Sequence, residues 1–158
     1  MALGSLYRRY ARPLLKTALR ITGSDADSEE AVAETFLALV EGRRKERPGE
    51  VPYSYLRRAV VNRSLNLLRA RRRRPGSVAP GVLDRRPARE RELPLLRDGL
   101  ARLPDRQAEV FAMRHLDGLA VAEIADALGI APATVRVHLH RAARALRALF
   151  DPKEARHE

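Results

Sequence analysis

Apolar residues recur at the spacing of one helix face along most of this 158-residue sequence, and nowhere do they alternate with polar ones long enough to build a sheet. In the first half Leu6, Tyr10, Leu14, Ala18 and Ile21 mark one helix, with Pro13 inside it and Thr22-Gly23 as its stop. Ser24 or Asp25 can cap the next, whose apolar stripe is Val32, Phe36, Leu39 and Val40. Residues Gly42 to Pro52, with Pro48, Gly49 and mixed charges, read as an exposed loop. A third helix follows over about Tyr53 to Arg72, given a broad buried side by Leu56, Val60, Ser64 and Leu67 beside Val61, Leu65 and Leu68.

Between Pro75 and Pro94 lie four of the ten prolines, with Gly76 and Gly81 and little apolar periodicity, the composition of a flexible linker. Helical spacing resumes at Leu95, Leu96, Leu100 and Leu103, breaks at Pro104, and continues through Val110, Phe111, Met113 and Leu116 to Gly118. The expected architecture is all-α: two small helical domains, 1–74 and 94–158, joined by a linker over 75–93.

The second domain carries the motif with the clearest mechanism. Val121 to Leu128 is a short helix, Gly129 permits a turn, Ile130 packs inside it, and Pro132 suits the first turn of a second helix with Val135, Leu139, Ala142 and Leu146 inward. This is a helix-turn-helix. Thr134, Arg136, His138 and Arg141 are expected to project outward near the start of the second helix, the end that meets base edges in a major groove. Arginine pairs with guanine through two hydrogen bonds and also serves phosphate. An ordinary helical hairpin is the bland alternative, but it does not ask for a first helix of small residues, a glycine turn and an acid-free second helix together.

Charge is segregated in the same way. Ser24 to Glu41 holds six acids and no Lys or Arg, Arg57 to Arg74 holds eight arginines and no acid, and Ala131 to Leu149 holds four arginines and no acid. The basic blocks supply +12 of a net +11, so the remainder nets −1. Two such segments suggest a polyanion met at two places, and the acidic helix suggests a separate basic partner. A solvated helix face is the alternative for each block taken alone.

Enzyme chemistry finds no foothold. There is no cysteine, His115, His138, His140 and His157 have no metal-ligand spacing with the acids, and no phosphate-binding glycine loop or nucleophile motif occurs. The expectation is therefore no catalytic residue, no metal and no cofactor. Without an apolar run of about 20 residues or a targeting signal, a cytoplasmic protein with no membrane insertion is expected.

The motifs also carry a resemblance. Leu103-Pro104-Asp105-Arg106-Gln107-Ala108-Glu109-Val110, Arg114-His115-Leu116-Asp117-Gly118-Leu119, Glu123-Ile124-Ala125, Leu128-Gly129-Ile130, Thr134-Val135 and Arg141-Ala142 resemble region 4 of extracytoplasmic-function (ECF) sigma factors. Ser28-Glu29-Glu30-Ala31-Val32-Ala33-Glu34-Thr35-Phe36 is similar to the acidic motif of their region 2, and Tyr55-Leu56-Arg57-Arg58-Ala59-Val60-Val61-Asn62-Arg63 to their promoter-melting helix. Departures are Ala33 for the usual Gln, Tyr55 for Trp, Asn66 for Asp, Ala133 for Gly and Val137 for Ser.

The resemblance implies a transcription initiation factor whose partners are core RNA polymerase and promoter DNA, with an anti-sigma factor as a candidate further partner. Asp27, Glu30 and Glu34 would meet the polymerase clamp. Arg57, Arg58, Asn62, Arg63, Arg69, Arg71, Arg72, Arg73 and Arg74 would meet the minus-ten element, Asn62 reading a flipped base or else bonding within its own helix. Thr134, Arg136, Val137, His138, His140 and Arg141 would meet the minus-thirty-five element. The competing readings are a stand-alone helix-turn-helix regulator, which leaves the acidic motif and the arginine helix unused, and a packaging protein, which leaves the acidic helix unused.

Overall fold

A computed structural model of the chain describes residues 3–42, 51–74 and 88–150. Among these the secondary structure is helical throughout: α1 (Leu3–Thr22), α2 (Asp25–Val40), α3 (Tyr53–Arg72), α4 (Ala88–Arg102), α5 (Asp105–Phe111) continued by one π-helical turn (Ala112–Leu116), α6 (Val121–Leu128) and α7 (Pro132–Phe150). The chain divides into two units, Met1–Leu67 and Leu68–Glu158, so that α3 begins in the first and its arginine-rich end belongs to the second. The all-α expectation holds. Most of the expected loop, residues 43–50, and most of the expected linker, residues 75–87, lie outside the described residues.

In the first unit α1 and α2 form a hairpin whose corner is built from two side chains, Thr22 and Ser24, and the glycine between them. Gly23 adopts φ +67°, a region closed to most side chains, and its amide donates to the Leu19 carbonyl. Ser24 then caps α2: its Oγ accepts from the Asp27 amide at 3.2 Å, while its own amide donates to Thr22 Oγ1. Asp25 and Asp27 occupy the first turn, where the helix dipole favours negative charge. The core is the expected set, Leu6, Leu14, Ala18, Val32, Phe36 and Leu39, closed by Val51, Leu56 and Val60. Val40 is the exception. It lies at the margin of the α2 stripe on the last turn and is 61% exposed, next to Leu37 at 53%.

In the second unit α4 begins at Ala88, ahead of Pro94, which lies inside the helix. Near its other end α4 carries Gly99. A Cβ there would lie 2.6 Å from Leu146 Cδ2, so the missing side chain lets α4 and α7 approach closely. Leu100, Val110, Met113, Ile124, Leu128, Val135, Ala142 and Leu146 make the core.

Candidate nucleic-acid interface

The helix-turn-helix is assembled by backbone rules that the residues make obligatory. The Ala120 amide donates to Glu123 Oε1 at 3.1 Å, which closes the start of α6. Gly129, at φ +66°, ends that helix, and the Ile130 amide returns to the Ala125 carbonyl. Pro132 opens α7, where a missing amide hydrogen costs nothing. Upstream, the π-helical turn sends the Asp117 amide to the Ala112 carbonyl, and Arg114 Nη1 donates to the Leu119 carbonyl at 3.0 Å. Arg114 thereby fastens the segment that leads into α6. Sequence patterning singled out the surrounding motif but not this role, since a π turn has no apolar period of its own.

On α7 the inward stripe is Val135, Ala142 and Leu146, with Leu139 half-buried. Thr134, Arg136, Val137, His140 and Arg141 are exposed, as are Arg144 and Arg147. His138 departs from expectation. It is half-buried rather than outward, one turn from Val135 on the edge of the packed face, and its Nδ1 has no hydrogen-bond partner among the described residues. His115, on the π-helical turn, stacks its ring 4.6 Å from Phe111. Partial burial, and then the charge of Arg114, lower its pKa below the ordinary 6.5.

The arginines of α3 are placed differently. Arg57, Arg58 and Arg63 are half-buried, as is Asn62, which shares their part of the helix. The Arg57 guanidinium lies 4.8 Å from the Tyr53 ring centroid, and Arg63 Nε stands 3.9 Å from Glu34 Oε2 on α2. In the second unit Arg69 pairs with Asp105 at 3.0 Å and Arg72 with Asp98 at 3.1 Å, Asp98 also holding Arg102. Arg73 Nε donates to the Arg69 carbonyl at 3.2 Å, Arg73 and Arg74 are exposed at the helix end, and Arg71 is half-buried. Tyr55 is 39% exposed.

Glu30 and Glu34 are exposed on one side of α2, with Asp27 half-buried one turn earlier. Ala33, Leu37 and Val40 share that outer surface, so the acids flank an exposed apolar strip. Among the described residues no group of three or more His, Asp or Glu side chains could hold a metal, and no helix is long and apolar enough to cross a membrane.

This combination of an outward acidic helix, an arginine-bearing helix and a helix-turn-helix matches known proteins along the chain. Residues 6–74 match Sigma-70 region 2, and residues 94–146 match Sigma-70, region 4. The ECF RNA polymerase sigma factor SigL of Mycobacterium tuberculosis is 34% identical over 158 residues, covering 90% of this chain and 85% of that protein. SigE of Mycolicibacterium smegmatis is 28% identical over 152 residues, and the chain spans 59% of that relative's length. A solved structure of the sigma factor RpoE in complex with the anti-sigma factor NepR, from Bartonella quintana, superposes with a TM-score of 0.53 at 17% identity, covering 91% of this chain and 93% of that one, a likeness of fold. With both sigma regions matched in order and a third of its residues shared with SigL, the chain belongs to the extracytoplasmic-function RNA polymerase sigma factors of the sigma-70 family.

Proposed function

We propose that residues 1–74 dock on core RNA polymerase and engage the minus-ten element, and that residues 94–158 read the minus-thirty-five element. Residues 75–93 would join the two. The observation that carries this reading is the outer face of α2, where Glu30 and Glu34 border exposed Leu37 and Val40. Two large apolar side chains exposed beside the acids give a surface that a basic coiled coil would cover while pairing with the acids. A stand-alone operator-binding regulator would leave that face idle.

On DNA, Arg136 and Arg141 are the base-reading candidates, with Thr134, Val137 and His140 beside them, and His138 positions the helix from its packed edge. Arg57, Arg58, Arg63, Arg69 and Arg71 to Arg74 hold phosphate along α3, and Asn62 meets an extruded base with an amide that can both donate and accept. Stacking there falls to Tyr53, Tyr55 and arginine planes, since the departures from the family's usual residues remove its common Trp. No catalytic residue and no cofactor enter this reading, and the site of action is the cytoplasm. An anti-sigma factor that covers the α2 face is the regulator it accommodates.

The test has two parts. Run-off transcription with core polymerase should require the protein. Glu30→Arg with Glu34→Arg should abolish co-purification with core while leaving helicity intact; stoichiometric binding by the double variant would overturn the role given to α2.

A further inference from the structure

Helix α1 has a face that none of these roles uses. Its 20 residues include Arg8, Arg9, Arg12, Lys16 and Arg20 and no acid, and all five cations are exposed on the side away from the core. The spacing of Arg8, Arg12, Lys16 and Arg20 is one residue in four, which lines them along about 18 Å of helix. Among the described residues no acid pairs with Arg8, Arg12 or Lys16. Cations one turn apart repel, by a few tenths of a kcal/mol per pair, and exposed helices ordinarily interleave acids to relieve this. Here nothing on the helix does so.

A second observation ties that face to α3 inside the first unit. The Arg9 guanidinium lies 5.2 Å from the Tyr10 ring centroid, the Tyr10 and Tyr53 rings are 4.9 Å apart at 33°, and the Arg57 guanidinium lies 4.8 Å from the Tyr53 ring centroid. Arg9, Tyr10, Tyr53 and Arg57 therefore form one chain of ring contacts that crosses from α1 to α3. Each guanidinium is held by a ring face instead of hanging free, so less side-chain entropy is lost when it meets an anion. Positive charge with aromatic planes set into it is the chemistry that holds single-stranded nucleic acid.

We propose that the basic face of α1 is a second phosphate track, which receives the backbone of the same single strand of DNA that α3 engages, handed over across the Tyr10–Tyr53 seam. A single strand fits because it can bend from one helix to the next, whereas a duplex is stiff over this distance. The inference rests on the DNA role proposed for α3, and the experiment separates the two.

Full-length protein carrying Arg8→Gln, Arg12→Gln and Lys16→Gln is assembled with core polymerase and titrated against a labelled oligothymidine strand and a scrambled duplex at several salt concentrations, with core alone as the blank. A parallel variant carries Arg73→Gln and Arg74→Gln. The α1 variant should bind the single strand several-fold more weakly, with its salt dependence flattened by about 2 for three lost contacts, and should lose less on the duplex. An unchanged single-strand slope for the α1 variant, while the Arg73/Arg74 variant weakens, overturns the α1 track and leaves the α3 role standing. If neither variant changes, both fall. Loss of co-purification with core at unchanged helicity would make the α1 face a protein contact and overturn the proposal as well.

Discussion

Two arginine-bearing helices, α3 and α7, look alike in sequence and differ in the fold. Both have an apolar side and an acid-free stretch. On α7, Arg136, Arg141 and Arg147 are exposed on a helix held by the narrow stripe Val135, Ala142 and Leu146. On α3 five of the six arginines are half-buried, and Arg57, Arg63, Arg69 and Arg72 are drawn to Tyr53, Glu34, Asp105 and Asp98. Equal charge therefore means unequal availability. An arginine already paired must exchange one partner for a phosphate, so its net gain is smaller than that of a solvated one.

The largest expected effect tests how α7 is held. Leu146, buried against Gly99, should cost about 2–5 kcal/mol of the second unit's stability when replaced by Ala, measured by urea unfolding. A cost well under that range would mean that the narrow stripe is not what anchors the helix. Next in size, Arg136→Ala and Arg141→Ala should each lose about 1–3 kcal/mol at the preferred promoter and less on a scrambled duplex. Equal losses on both would make these residues phosphate holders and move base reading to Thr134 or His140.

A smaller effect should divide α3 within itself. Arg73→Ala and Arg74→Ala should each flatten the salt dependence of duplex binding by about 0.9, the value for one lost phosphate contact, irrespective of sequence. Arg69→Ala and Arg72→Ala should flatten it less, because Asp105 and Asp98 compete for those charges. Identical slopes for all four would erase the contrast drawn here.

The smallest effect concerns pH and separates the two units. No histidine precedes His115, so near-neutral titration of histidine acts on the second unit alone. The His115 pKa is lowered in the fold, so below about 6.5 the unfolded chain binds the proton more readily than the native one. Stability should accordingly fall as pH drops from 7 through that window, and the loss should continue until the folded group itself protonates. His115→Asn should remove that part of the slope in thermal melts at pH 7 and pH 5.5. The exposure of the ring keeps the effect small, and an unchanged slope would show that His115 is solvated alike in both states.

Much of this was legible before any coordinates. The α1–α2 corner follows from Thr22-Gly23-Ser24, because glycine accepts the positive φ without strain and a short side-chain oxygen reaches the third amide; α3 spans the residues its periodicity marks, Tyr53 to Arg72. Glycine 129 and Pro132 likewise mark the helix-turn-helix in any fold that contains it. Such signals are local, set by the conformational limits of one or two residues. Other features were decided only by tertiary packing. Nothing in the period of α2 shows that Val40 stays in water, because that depends on where its neighbour helix ends. Which arginines of α3 are engaged depends on acids up to 36 positions away, as for Arg69 and Asp105. The chain of ring contacts from Arg9 to Arg57 joins residues of two helices that no spacing rule relates. Sequence determined the helices and the faces they offer, because those are properties of a few consecutive residues; the fold decided which charges remain available, because pairing and burial depend on what other helices bring within a few ångströms.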